Sequence, residues 1–152
     1  RFGAAAEYAQ SLGLTVQKRS SGEAVAPSTQ VWVGDSMGEM FAYYALADAV
    51  FVGGSLVDTG CQNIIEPMSC GKPVLFGPSV YNFQAACTGA LAFGAARQIA
   101  SADELVQTVY RWWQNSEEAA ALAQRAVQFV AQHKGASERM AQRIEDGVKR
   151  KG

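Results

Sequence analysis

The chain has 152 residues, 49% apolar and 18% charged, with a formal net charge of −1. That length buries a real core within one domain, a near-neutral balance gives no reason to expect nucleic acid as the main partner, and no apolar run reaches the length of a membrane span or has the form of a signal peptide. Three cysteines, Cys61, Cys70 and Cys87, form no Cys-x-x-Cys pair, which fits reduced thiols in a cytosolic setting better than a disulfide frame or a zinc site.

Arg1-Phe2-Gly3 opens the chain without a methionine, so a fragment cut from a longer protein just before a helix is expected. An Ala-rich stretch over 3–12 predicts that helix, stopped at Leu12-Gly13. Residues 14–19 alternate apolar and polar as a strand does. The Ser/Gly/Pro segment 20–29 reads as an exposed, mobile loop. Val31-Trp32-Val33 is a short buried strand running into Gly34-Asp35, and 38–46 a helix. Ala49 to Val52 is a strand, 64–69 a short helix, 73–76 a strand, 82–91 a helix and 95–99 a last strand. Three helices are expected over 101–152. The first opens on the capping box Ser101-Ala102-Asp103-Glu104, the second is capped by Ser116 and ended by Gly135, and the third is capped by Ser137. Met140, Ile144 and Val148 fall at helical spacing on that third helix. Lys149-Arg150-Lys151 reads most simply as a solvated tail; a weak membrane-surface contact is the alternative, though three charges fall short of the usual cluster.

Strands alternating with helices predict an α/β domain, a Rossmann-like parallel sheet with helices on both faces. Such sheets bind ligands beyond the carboxyl ends of their strands. The sequence has neither Gly-x-Gly-x-x-Gly nor a Gly-Lys-Ser/Thr loop, so the dinucleotide and Walker readings lose support. His133, the one histidine, sits beside Lys134 near an expected helix end, where a cation suits the dipole; it is poorly placed for a triad or a metal site. No carboxylate cluster has metal spacing. Two segments remain. Gly34-Asp35-Ser36-Met37-Gly38-Glu39 puts a flexible backbone and helix-start amides where a phosphate can bind. Gly53-Gly54-Ser55, with the loop to Asn63-Ile64-Ile65-Glu66, offers a carboxylate that can accept from a ribose diol. A structural reading competes at each: Ser36-x-x-Glu39 and Asn63-x-x-Glu66 both have the form of a capping box. Pro67 at the first helical position would leave Glu66 outside the helix and free for a ligand. Gly53 and Gly54 can serve a tight turn. Lys72 can bind an anion or be solvated, Cys61 and Cys70 read as inert, and Trp112 and Trp113 as packing.

In order, Gly34–Glu39, Ala47-Asp48, Phe51–Ser55, Asn63-x-x-Glu66-Pro67, Gly71–Pro78 and Asn82-Phe83 resemble the C-terminal half of Kdo transferase, the bacterial 3-deoxy-D-manno-oct-2-ulosonic acid transferase of lipopolysaccharide assembly. The close match covers roughly residues 31–84. The resemblance implies the C-terminal, donor-binding half of a GT-B glycosyltransferase: residues 1–152 as one Rossmann-like domain that binds CMP-Kdo, with 101–152 as its C-terminal helices and an N-terminal acceptor domain missing. It also implies inverting transfer of Kdo to the lipid A precursor at the cytosolic face of the inner membrane. No metal or cofactor is implied. The general base would lie in the missing domain, so this stretch would bind donor without transferring sugar. Carried over, Ser36, Met37, Gly38 and Glu39 line the phosphate and nucleoside, Gly54 and Ser55 face the donor, and Asn63 and Glu66 hold ribose hydroxyls or orient the loop. Where the family commonly reads Gly-Gly-His-Asn, this chain has Gly60-Cys61-Gln62-Asn63. Gln62 can keep a hydrogen bond to the donor but not a proton transfer. The rival readings are a UDP-sugar transferase or epimerase domain of the same architecture and a ligand-free flavodoxin-like interaction module.

Overall fold

The computed structural model describes residues 1–151, and at positions 136 and 137 the backbone only. Two compact units divide the chain, Arg1–Tyr43 and Tyr44 onward. Each has parallel strands and helices, the α/β class expected.

In the first unit, helix α1 (Phe2–Ser11) buries Ala6 and Ala9. Gly13 takes φ 79 just past its end, the left-handed turn that a residue with a Cβ resists. Strand β1 (Val16–Lys18) pairs in parallel with β2 (Val31–Val33), Val16 opposite Val31. The connection between them is exposed, as expected, but it is held. Gln17 Oε1 accepts from Ala26 N at 2.8 Å and its Nε2 donates to Ala24 O at 3.3 Å. Thr15 Oγ1 donates to Ser28 O at 2.5 Å. Polar side chains in and just before β1 thus bond backbone groups of the loop, a role that composition alone does not reveal.

Helix α2 (Met40–Leu46) runs across the boundary between the units. In the second unit, β3 (Val50–Phe51), β4 (Val74–Phe76) and β5 (Arg97–Gln98) form a parallel sheet in the order β3-β4-β5. All three residues of central β4 are buried, as its unbroken apolar run requires. Alternation sends Val74 and Phe76 to one face and Leu75 to the other. Val74 and Phe76 join Ile64, Met68, Cys87, Ala90 and Ala126, whereas Leu75 packs with Ile99, Trp112 and Leu122. The first face is covered by α3 (Ile65–Ser69), α4 (Gln84–Phe93) and α6 (Glu117–Lys151). The second is covered by α5 (Ala102–Gln114) and the start of α6.

The capping box of α5 forms, displaced by one residue on its return leg. Ser101 Oγ accepts from Glu104 N at 3.2 Å, and Glu104 Oε2 accepts from Ala100 N at 2.6 Å. At the start of α6 it is Asn115 Oδ1, not the Ser116 side chain, that takes a free amide, that of Glu117 at 3.1 Å. The expected break at Gly135 does not occur, and the second and third terminal helices are one helix of 35 residues. A lone glycine costs a helix only about 1 kcal/mol, which its Ala-rich flanks and the absence of proline offset. His133 is therefore mid-helix and not at a helix end; its ring stacks on Phe129, with centroids 6.1 Å apart.

Candidate functional site

The carboxyl ends of β1 and β2 lie side by side because the pair is parallel and in register. The segments beyond the two strands therefore meet. After β1 comes a single 3-10 turn, Arg19–Ser21; after β2 comes the 34–39 segment. Asp35 accepts from Ser20 N at 2.8 Å and from Ser20 Oγ at 2.6 Å. Arg19 Nη2 donates to Glu39 Oε1 at 3.1 Å. Ser36 Oγ is hydrogen-bonded to Glu39 Oε2 and to Tyr43 Oη. The Tyr43 ring stands edge-on to Trp32, 5.5 Å between centroids, and 2.8 Å from where a Cβ on Gly34 would be. A side chain at 34 would push that ring aside.

Glu39 does not complete the capping box that its spacing suggests. Helix α2 begins at Met40, and Glu39 sits just before it, its backbone carbonyl accepting from Tyr43 N at 3.2 Å. Its carboxylate serves the Ser36–Arg19–Tyr43 cluster instead. Hydrogen bonding from Ser36, then from Arg19, holds that carboxyl below the ordinary glutamate range. The Ser20 hydroxyl, then its amide, does the same for Asp35. Met37 is 89% exposed, and Gly38 takes φ 77 with open space where a Cβ would stand. This turn presents its backbone to solvent and keeps its acids occupied.

The depressed Asp35 carboxyl has a measurable consequence. A carboxyl whose folded pKa is depressed contributes stability above its unfolded value and loses it as pH falls through the lower folded value. The Ser20 amide proton, tracked by NMR, is expected to titrate with a midpoint below the ordinary aspartate range. A midpoint at or above that range would mean the Ser20–Asp35 bonds do not persist in solution.

In the second unit the glycine loop is locked to the strand ends. Ser55 is fully buried, its Oγ donating to Val52 O at 2.6 Å and accepting from Gly77 N at 2.8 Å. The expected role of facing a donor is thus not open to its hydroxyl, which points inward. Gly54 takes φ 80, and a Cβ there would fall inside the Gly60 carbonyl oxygen. Gly60 N donates to Ser79 Oγ at 3.0 Å, Ser79 N to Ser55 O at 2.9 Å, and Gln62 N to Gly53 O at 3.1 Å. Beside this lock lies a depression of about 410 Å³ lined by Ser55, Leu56, Asp58, Pro78, Ser79 and Tyr81. A second hollow of about 420 Å³, lined by Asp48, Pro73, Trp112 and Trp113 among others, lies at the amino ends of β3 and β4 and contains no candidate residue. Trp112 is buried packing, but Trp113 is 87% exposed, against the expectation.

Asn63 Oδ1 accepts from Ile65 N at 2.9 Å, an Asx turn that launches α3. Glu66 does not close the box. It lies inside the helix, in the first turn, with Pro67 after it, where a missing N–H costs nothing. The expectation that Pro67 starts the helix and leaves Glu66 outside is corrected. The Glu66 carboxylate is turned toward Tyr44 on α2. Burial, then the charges of Glu66 and Cys70, raise the Tyr44 hydroxyl above the ordinary tyrosine range. Gln62 is exposed. Lys72 Nζ is anchored on Ala45 O at 3.1 Å. Cys61 and Cys87 are buried with sulfurs 3.7 Å apart, and burial, then the Cys61 thiol, pushes Cys87 up to about 12. Such thiols are unreactive as nucleophiles.

Sequence reasoning missed Arg19, Ser20 and Tyr43 in the first unit, and Ser79 and Tyr81 in the second. Arg19 and Ser20 sit 15 to 20 positions from their partners, and only the parallel pairing of β1 and β2 brings them there. Among the described residues no group of three or more His, Cys, Asp or Glu side chains can hold a metal ion. No described helix is long and apolar enough to cross a membrane.

No family model matches the chain. It is 37% identical over 147 residues to the 3-deoxy-D-manno-octulosonic acid transferase of Bordetella pertussis, covering 96% of this chain and 34% of that protein. It is 40% identical over 83 residues to the enzyme of the same name from Haemophilus influenzae, covering 55% and 19%. The chain thus spans about a third or less of the curated relatives it matches. Among solved structures, the C-terminal CMP-Kdo binding domain of WaaA from Acinetobacter baumannii superposes with a TM-score of 0.82 at 34% identity, covering 86% of this chain and 68% of that one. On the identity and coverage of these matches, the chain belongs to the 3-deoxy-D-manno-octulosonic acid transferase family, and it corresponds to the C-terminal domain.

Proposed function

We propose that this chain is the donor-binding domain of an inverting Kdo transferase and takes CMP-Kdo as its nucleotide sugar. The observation that carries the reading is the likeness to the WaaA domain over 86% of the chain. The local chemistry supports it. The 36–39 turn offers open backbone at Gly38 and Met37 for a phosphate and nucleoside, and Asn63 shapes a turn that sets Glu66 in the first turn of α3. A carboxylate so placed accepts two hydroxyl donors from a ribose diol. Gly54 lets the loop close under the donor, and Gln62, exposed beside Asn63, is free to donate to it. Within a whole enzyme this domain would position the anomeric carbon and stabilise the leaving CMP, while a base from another domain deprotonates the lipid A precursor's hydroxyl. The same reading places that enzyme at the cytosolic face of the inner membrane.

Calorimetric titration of the chain with CMP, UMP and UDP tests this. CMP is expected to bind in preference to both uridine nucleotides, and Glu66→Ala to weaken CMP by roughly tenfold or more, the loss of a charged hydrogen-bond pair, with its circular dichroism unchanged. Preference for UDP would favour a UDP-sugar domain. Absence of nucleotide binding would favour a ligand-free module.

A further inference from the structure

Backbone amides can hold a phosphate, but a cation beside them strengthens the grip, and the 34–39 turn has no cationic side chain of its own. It carries two carboxylates, Asp35 and Glu39, which on their own would repel an anion. The fold answers from β1. The 3-10 turn at its carboxyl end holds both acids, Ser20 binding Asp35 through its amide and hydroxyl and Arg19 binding Glu39 at 3.1 Å. That bond uses one of the five N–H donors of the guanidinium. The Arg19 side chain remains 43% exposed, so the fork keeps donors for a second partner. Beside it stand the open Gly38 backbone and the exposed Met37. A guanidinium already steered by a carboxylate loses little freedom when it meets a phosphate, and its planar fork matches phosphate oxygens in pairs. Lys18, the adjacent cation, is exposed at the end of β1 and offers a hydrated point charge without that fork.

We propose that Arg19 grips the donor's phosphate at the 34–39 turn, with Glu39 holding the guanidinium in position. The assignment deepens the donor-binding reading of this turn and rests on it. It makes the Arg19–Glu39 pair a preset anion clamp and not a surface ion pair, and it explains why the first turn after β1 is stitched to the loop after β2 by three hydrogen bonds.

The test compares CMP with cytidine, which lacks the phosphate, on the 152-residue chain at low ionic strength. The wild-type chain is expected to bind CMP roughly tenfold or more tighter than cytidine, the scale of a charge-assisted hydrogen-bond pair. Arg19→Gln should erase that ratio while leaving cytidine affinity unchanged, and Arg19→Lys should restore part of it. A ratio that survives Arg19→Gln overturns the clamp and leaves the donor reading standing. Binding of neither CMP nor cytidine sinks the donor reading; inorganic phosphate then still decides the clamp, through the Arg19 Nε–H cross-peak in NMR spectra of the wild-type chain. A peak that moves with phosphate supports the anion site, and one that stays still overturns it. The same wild-type titration decides the matter if Arg19→Gln fails to fold.

Discussion

Gly54→Ala is expected to cost about 3 kcal/mol or more of stability, whereas Gly53→Ala, one residue away, is expected to be close to neutral. The two glycines look alike in sequence and differ in everything that matters for a side chain. Gly54 takes φ 80, and its Cβ would overlap the Gly60 carbonyl oxygen and lie 3.2 Å from Thr59 Oγ1. Gly53 has open space and no left-handed backbone. Placing an alanine in the left-handed region costs roughly 1–2 kcal/mol by itself. The rest comes from moving the Gly60 carbonyl, which cannot shift alone, because Gly60 N is bonded to Ser79 Oγ and Asn82 packs where a Cβ on Gly60 would be. For a domain with about 5–15 kcal/mol in total, such a loss should lower the melting temperature by roughly ten degrees. Thermal unfolding monitored by circular dichroism separates the variants. If both melt like the wild type, the loop does not hold the closed form described.

Much of this arrangement was legible in the residues alone. The alternation of short apolar strands with helices named the α/β class, because a buried parallel strand such as Val74–Phe76 must be apolar on both faces and bounded by turn residues. The Gly34–Glu39 and Gly54–Glu66 segments stood out because glycine at a strand end has few other uses. What the sequence did not reveal was long-range. Ser36-x-x-Glu39 reads as a capping box from spacing alone, but Arg19 and Tyr43 compete for the same carboxylate, and α2 starts too late for Ser36 to be its cap and Glu39 its third residue. Asn63-x-x-Glu66 fails for a different reason: the Asx turn to Ile65 places the helix start one residue later than the box needs. Gly135 misled in the opposite direction. A single glycine is a weak stop, and nothing beside it forbids the next helical hydrogen bond. Local patterns therefore located the elements, while the partners of each charged group were set by which strands lie side by side.

Ser55→Ala is expected to cost about 2–3 kcal/mol of stability and to leave the affinity of the folded protein for CMP little changed. The hydroxyl of Ser55 makes two bonds in a fully buried site, donating to Val52 O and accepting from Gly77 N. Removing it forfeits about 1 kcal/mol per bond and strands the Gly77 amide away from water, which costs a further fraction of its desolvation. Gly77 cannot move to find another acceptor. Its Cα is so close to the next turn of chain that a Cβ would lie 2.7 Å from Ser55 C and 2.9 Å from Leu56 N. The chain thus crosses itself at this point without space for water, and the hydroxyl is the group that makes the crossing tolerable. Ser79→Ala provides the contrast. Its Oγ accepts from Gly60 N at 3.0 Å at a half-buried position, where water can replace it, so about 1 kcal/mol or less should be lost. Chemical denaturation with nucleotide titration on the same samples reads both quantities. A Ser55→Ala variant that keeps its stability but loses CMP would mean that the hydroxyl points at the ligand after all. A variant that loses stability and retains affinity assigns Ser55 to the fold of the loop, and leaves recognition to the exposed backbone, to Asn63 and to Glu66.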